Sequence, residues 1–276
     1  MSGPEWLVEL VSTQIDRKIV EDGRTTPTTF LGWPRDRVFE EVIQGGQADF
    51  DAAIGSLTGD DRALLYAKYN QPRHLDELRH AFGLLLGEHK NISKPTLIDI
   101  GCGPFTAGLS FAAALGPSEP FRYFGVDRAA SMLALGESLY AEARPLGAFH
   151  RDTTAVFEQD LEALDFGPVR GEWAIVVASY LLASPTVDAA GLAAVILTAL
   201  SRVGPGPAVV LYTNSAAARA GEKYPAFRDA LQNGGFKIVT DVVERFVHTG
   251  KTPKDVHYAL FFRPERNVIS LMEARQ

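Results

Sequence analysis

Residues 96–116 read TLIDIGCGPFTAGLSFAAALG, and the reading of this stretch decides the fold. Leu97, Ile98 and Ile100 surround Asp99 in a short apolar run bounded by turn residues, the pattern of a buried strand. Gly101 and Gly103 then turn the chain; glycine supplies positive φ and leaves no Cβ between the backbone and a ligand. Pro104 is favoured at a first helical position, so a helix is expected from about 104 to 115. Asp99 therefore stands at the carboxyl end of a strand, where open α/β sheets bind their ligands. Phe105 occupies the place where a dinucleotide fingerprint would carry a further glycine.

Outward from this unit, strands are expected at 96–100, 121–126, 154–158, 173–178 and 207–213. Helices at about 104–115, 129–143 and 188–202 lie between them, and such alternation builds right-handed βαβ crossovers and a mostly parallel sheet. After a helix at 223–233, GGFKIVTDVVERF and VHYALFF follow with only a loop between them, which predicts an antiparallel hairpin at the sheet edge. Upstream, residues 5–21 have helical spacing, DGRTTPTTFLGWPRD reads as loop, and RVFEEVIQ is amphipathic up to Gly45-Gly46. Further helices are expected from near Thr58, capped by Asp60 or Asp61, and over 72–88, entered at Pro72. The expected organisation is an N-terminal helical cap or lid over 1–60, an α/β domain over 61–266 and a tail over 267–276.

The chain has 276 residues, 46% of them hydrophobic, and one cysteine. A chain this long buries a full core without staples, and one cysteine excludes an internal disulfide or a cysteine-rich zinc site. No basic-then-apolar leader opens the sequence and no apolar run is long enough to span a membrane, so a cytoplasmic protein without a membrane partner is expected. The formal net charge of −7 weighs against a nucleic-acid partner.

Two more acids complete the pattern. FRYFGVD ends the second strand at Asp127, and FEQDLEAL places Asp160 and Leu161 at the end of the third. An acid ending the second strand of such a fold accepts hydrogen bonds from ribose hydroxyls. The glycine loop holds no Lys or Arg and no G-K-[ST] run occurs, so the ligand expected is an adenosine without phosphates.

The segments LIDIGCGPFTAG, FGVDRAASML, FEQDLEAL and WAIVVASYLLA, with the closing GGFKIV…VHYALFF, resemble the class I S-adenosylmethionine (SAM)-dependent methyltransferases over about residues 60–265. The resemblance implies a Rossmann-like sheet of seven strands in the order 3-2-1-4-5-7-6 with the seventh reversed. It also implies SAM as cofactor and S-adenosylhomocysteine as product. Carried over by position, Gly101, Cys102 and Gly103 would pack against the methionyl part with Asp99 beside them, Pro104 and Thr106 would belong to the cofactor site, Asp127 would take the ribose, and Arg128 and Met132 would flank the adenosine. Asp160 and Leu161 would contact adenine, and Ser179 and Tyr180 would line the floor near the methyl. Phe105 departs from the commonest pattern, although the nicotinamide and phenylethanolamine N-methyltransferase group also lacks the final glycine. It is expected to stiffen the loop and make the methionyl pocket more apolar. LLYAKYNQPRH resembles a Y-x-x-Y-R-P lead-in helix, whose aromatic or basic residues touch the cofactor; Tyr66 and Tyr69 match and would contact SAM, and Asn70 stands in place of the arginine.

Methyl transfer needs positioning more than acid–base chemistry, and a base only for an acceptor that must lose a proton. None of His74, His80, His89, His150, His248 and His257 has metal-ligand spacing, and no metal is expected. His74 and Tyr180 are the candidates for a catalytic role. No Asn-Pro-Pro-Tyr run follows the fourth strand, so the expected acceptor is a small organic molecule, with Phe30, Trp33, Tyr212 and Asn214 as candidate contacts. A ribosomal RNA or protein acceptor, and a SAM-binding module without catalysis, stand as alternatives. The sequence does not set the oligomeric state, a homodimer included.

Overall fold

The computed structural model describes residues 3–217, 221–247 and 252–266. The proposed tail over 267–276 and His248 lie outside them. A five-stranded parallel array forms the centre: β3 (Thr96–Ile100), β4 (Arg122–Val126), β5 (Thr154–Glu158), β6 (Ala174–Ser179) and β7 (Ala208–Ser215). It is closed by β8 (Lys237–Phe246) and β9 (Lys254–Arg263), giving the order β5-β4-β3-β6-β7-β9-β8. β9 runs antiparallel to both β7 and β8, which is the predicted terminal hairpin. Counted within this sheet, the order is 3-2-1-4-5-7-6.

Alternate strand residues face opposite layers, and the central strands are apolar on both. Leu97, Tyr123 and Ile175 pack under the helices Gln71–Glu88 and Thr106–Leu115, while Ile98, Phe124 and Val176 face Ala189–Val203 and Tyr224–Asn233. The helix Gly59–Tyr69 starts at a capping box in which Thr58 Oγ1 accepts from Asp61 N–H and the Asp61 carboxylate accepts from Thr58 N–H.

The N-terminal segment is helical at Glu5–Val11, continues through π-helical turns at Ser12–Arg17 into Lys18–Val20, and forms a small hairpin from β1 (Thr29–Phe30) and β2 (Trp33–Pro34). Short helical turns at Val38–Val42 and Gln44–Gly46 follow. Ile15, Ile19, Val42, Ile43 and Phe50 form a core completed by Ala129 and Met132 of the α/β part. Arg62, 3% exposed, donates to the carbonyls of Val42, Asp49 and Ala52. The Asp51 carboxylate accepts the N–H groups of Ala130 and Ser131, both at 2.9 Å, at the start of the helix Ala130–Ala143. The segment is thus fastened directly beside the second-strand acid. Among the described residues no helix is long and apolar enough to cross a membrane.

Candidate functional site

The carboxyl ends of β3, β4 and β6 open into a cleft of about 740 Å³. Gly101 (φ 69°) and Gly103 (φ 51°) line it in left-handed conformations that side-chain-bearing residues rarely adopt. A Cβ on Gly101 would stand 2.9 Å from Leu181 Cδ1, and one on Gly103 would enter the gap below Tyr66, 3.9 Å from its Cε1. Asp127 lines the same wall. Its Oδ2 accepts Gly103 N–H at 2.9 Å and its Oδ1 accepts Ala129 N–H at 3.0 Å. An ionised carboxylate oxygen accepts about two hydrogen bonds, so each keeps capacity for a ligand hydroxyl. Burial raises the Asp127 pKa, and the two backbone bonds and Arg128 pull it back. Met132, Arg128, Gln159 and, from the N-terminal segment, Phe39 and Phe50 line the surrounding walls.

The other end of the cleft is polar. Tyr180 follows β6 with φ 58°, a left-handed conformation costly for an aromatic residue. Its hydroxyl donates to Glu77 Oε2 at 2.9 Å and accepts from Lys254 Nζ at 3.1 Å. Lys254 Nζ also sits 4.5 Å from the Tyr180 ring centroid, and His74 stacks on that ring at 4.2 Å. Burial raises the pKa of Glu77 and Tyr180 and lowers that of Lys254. Ser179 Oγ accepts from Thr213 Oγ1 at 2.8 Å and faces the cleft with Ser215. Among the described residues no group of three His, Cys, Asp or Glu side chains is placed to hold a metal.

The sheet order with its reversed last strand, the glycine turn after the first central strand and the acid after the second are now all in place. The chain has the seven-stranded Rossmann-like fold that the sequence led us to expect, with its last strand reversed. No family model and no curated protein matches it. Similar solved structures include magnesium protoporphyrin IX methyltransferase from Synechocystis with bound SAM, at 18% identity and a TM-score of 0.47, over 83% of this chain and 94% of that one. A SAM-dependent methyltransferase from Clostridium acetobutylicum aligns at 12% identity and a TM-score of 0.47, over 73% of this chain and 97% of that one. Precorrin-6y C5,15-methyltransferase from Geobacter metallireducens does so at 15% and 0.44, over 68% and 88%. These are likenesses of fold.

The cleft gathers Tyr66, Tyr69, His74, Gly101, Gly103, Asp127, Arg128, Met132, Ser179 and Tyr180 of the sequence-predicted residues. The others stand elsewhere, each for a local reason. Asp99, 2% exposed, turns beneath the loop and accepts the Tyr123 hydroxyl at 2.8 Å; burial pushes its pKa up to about 7. Cys102 is buried in the same layer. Pro104 and Thr106 face Gln71, whose Nε2 donates to the Pro104 carbonyl at 2.8 Å and to Thr106 Oγ1 at 3.3 Å. Asp160 Oδ1 accepts Glu162 N–H at 2.9 Å ahead of the turn Leu161–Ala163, and Gln159 beside it lines the cleft while Asp160 does not. Leu161, half-buried, packs against the core that holds Phe124 and Val176.

The candidate acceptor contacts are displaced in the same way. Phe30 lies under the Arg35 guanidinium at 4.1 Å and beside Tyr69, while Trp33 covers Gly55. Tyr212 is fully buried against Tyr224 and Phe227, and buried Asn214 accepts Ser215 N–H at 2.8 Å.

Phe105 corrects a further expectation. It takes the left-handed conformation itself, with φ 64°, so the helix begins at Thr106 rather than at Pro104. Its ring leaves the cleft for the core, 4.6 Å from the Tyr123 ring and 5.5 Å from Phe157. It therefore adds no apolar surface to the cleft. The room comes from Gly108, where a Cβ would fall 1.9 Å from Phe105 Cε2. Sequence reasoning passed over Arg73, Glu77 and Lys254; Glu77 follows Arg73 by four residues and His74 by three, so it neighbours both on the helix surface, which was the available signal.

Proposed function

We propose that the protein binds SAM in this cleft and methylates a small organic acceptor. The observation that carries the reading is Asp127, whose two carboxylate oxygens are each held by one backbone N–H and still face the cleft. That arrangement suits the paired hydroxyls of a ribose. Gly103 leaves open space that a Cβ would enter and Gly101 packs against Leu181 with no room for one, which fits a methionyl chain passing close to the backbone. When bound, SAM supplies an electrophilic methyl on a sulfonium, open to in-line displacement. The chain's own part is placement: the Tyr66 ring, set edge-on to Phe50 at 5.3 Å, offers a π face to a cation. Phe39 and Phe50 narrow the access of water. Tyr180 keeps its proton on the hydroxyl, shared with Glu77, and Lys254 fixes the oxygen's position.

A small acceptor is supported by the N-terminal segment, which walls one side of the cleft, and by the net charge of −7, which disfavours a polyanionic RNA. The lone, buried cysteine supports a reducing, cytoplasmic setting. The test is calorimetric titration with SAM of the wild type and of Asp127→Ala. Two charge-assisted hydrogen bonds at about 1.5–3 kcal/mol each predict a loss of affinity of about 100-fold or more. An Asp127→Ala protein that binds SAM as tightly as the wild type overturns the assignment. Labelled SAM offered with metabolite fractions and, separately, with RNA then reads out the acceptor class.

A further inference from the structure

The end of the cleft away from Asp127 carries more cationic groups than its carboxylate balances. Arg73 and Lys254 both line it, and the acid between them, Glu77, is 3% exposed and already receives the Tyr180 hydroxyl. Arg73 Nη2 reaches the Thr252 carbonyl at a long 3.4 Å, and its Nε, closed off from solvent, has no hydrogen-bond partner among the described residues. An ammonium has three donors. Lys254 points one at the Tyr180 hydroxyl and holds its charge over the same ring. Glu77 offsets one of the two cations, so a single negative charge would neutralise the group, whereas a phosphate dianion would exceed it. Beside them the stacked rings of His74 and Tyr180, inclined by 21°, present a flat wall.

We propose that this end of the cleft binds the acceptor through a carboxylate seated between Arg73 and Lys254, so that the substrate class is a planar organic acid. The inference rests on the methyltransferase reading and narrows it. The other source of a carboxylate is the cofactor's own amino-acid tail: although Lys254 opens β9, its ammonium reaches the Tyr180 hydroxyl at the end of β6, the neighbour of β3, so the test has to separate the two. The lowered pKa of Lys254, caused by burial and opposed by Glu77 but not by Arg73, agrees with a cation short of counter-charge.

The test uses the protein saturated with S-adenosylhomocysteine and two fluorinated probes, 4-fluorobenzoate and its neutral isostere 4-fluorobenzamide, followed by fluorine NMR. The wild type is expected to bind the benzoate about tenfold or more tightly than the benzamide, the worth of one charge-assisted contact. Lys254→Met and Arg73→Gln should each bring the two probes within about twofold, while S-adenosylhomocysteine affinity changes less than about threefold. Lys254→Arg, which keeps the charge, should retain the preference. Equal or absent binding of both probes to the loaded wild type overturns the inference and leaves the cofactor reading standing. If the variants instead weaken S-adenosylhomocysteine about tenfold and leave the benzoate unaffected, the carboxylate seated there is the cofactor's, and the inference again fails. No binding of S-adenosylhomocysteine to the wild type overturns both.

Discussion

Replacing Gly108 by alanine should destabilise the protein only while Phe105 is present. A Cβ at position 108 would lie 1.9 Å from Phe105 Cε2 and 2.5 Å from its Cδ2 and Cζ, and the ring is fully buried among aromatic neighbours. Overpacking of this kind costs up to about 3 kcal/mol. Alanine returns about 1 kcal/mol of helix propensity, so the net loss is about 2 kcal/mol. Phe105→Gly loses the buried ring, about 4 kcal/mol, and relieves about 1.5 kcal/mol of left-handed strain, for a net loss of about 2.5 kcal/mol. In the double variant the methyl enters vacated space, and only about 1.5 kcal/mol is lost. The single losses would add to about 4.5 kcal/mol, so the coupling is about 3 kcal/mol, at the top of the range for residues in contact. Urea unfolding of the four proteins measures it, with m-values checked for constancy. Additivity within about 0.5 kcal/mol would refute the claim that Gly108 makes the room for Phe105.

Three other outcomes are expected. The folded Asp99 carboxyl titrates near 7 against an ordinary value of 3.8, so the folded state holds the extra proton between those values, and this contribution to stability falls as pH rises through the window. The difference in unfolding free energy between wild type and Asp99→Asn should therefore shift in favour of the variant from pH 4 to pH 8; a pH-independent difference would show that burial does not govern this acid. Asp51→Ala removes two backbone caps at 2.9 Å and should cost about 1–2 kcal/mol at pH 7. Those bonds hold the Asp51 pKa low against its burial, so the cost should shrink as pH falls through the carboxylate range, as read by chemical unfolding. Tyr180→Phe keeps the His74 stack and removes the link from Lys254 to Glu77; it should lower kcat more than SAM affinity, and an unchanged kcat would limit Tyr180 to a structural part.

What the sequence made legible was governed by local chemistry. The strands were readable because the central ones are apolar on both faces, and the turn because Gly101 and Gly103 take conformations that favour glycine. Asp127 was readable from its place at a strand end. Asp160 has the same sequence setting and the same bond to the N–H two residues on, yet Gln159 rather than Asp160 lines the cleft, a choice decided by loop geometry that spacing does not encode. The aromatic residues of the N-terminal segment were visible as a group, yet Phe30 and Trp33 pack away from the cleft while Phe39 and Phe50 line it. Their direction depends on a core shared with Ala129 and Met132. The Glu77–Tyr180–Lys254 cluster joins residues 103 and 74 positions apart across the end of the sheet, and no local pattern announces such a meeting.

The Asp51 clasp also orders events in time. Its partners Ala130 and Ser131 lie 79 and 80 residues downstream, and the core of the N-terminal segment is incomplete without Ala129 and Met132. During synthesis at about 5–20 residues per second, this segment waits roughly 4–16 s for the helix that fastens it. Over that interval Ile15, Ile19, Val42 and Ile43 have no finished shelter, which leaves this segment open to a nascent-chain chaperone until the helix arrives.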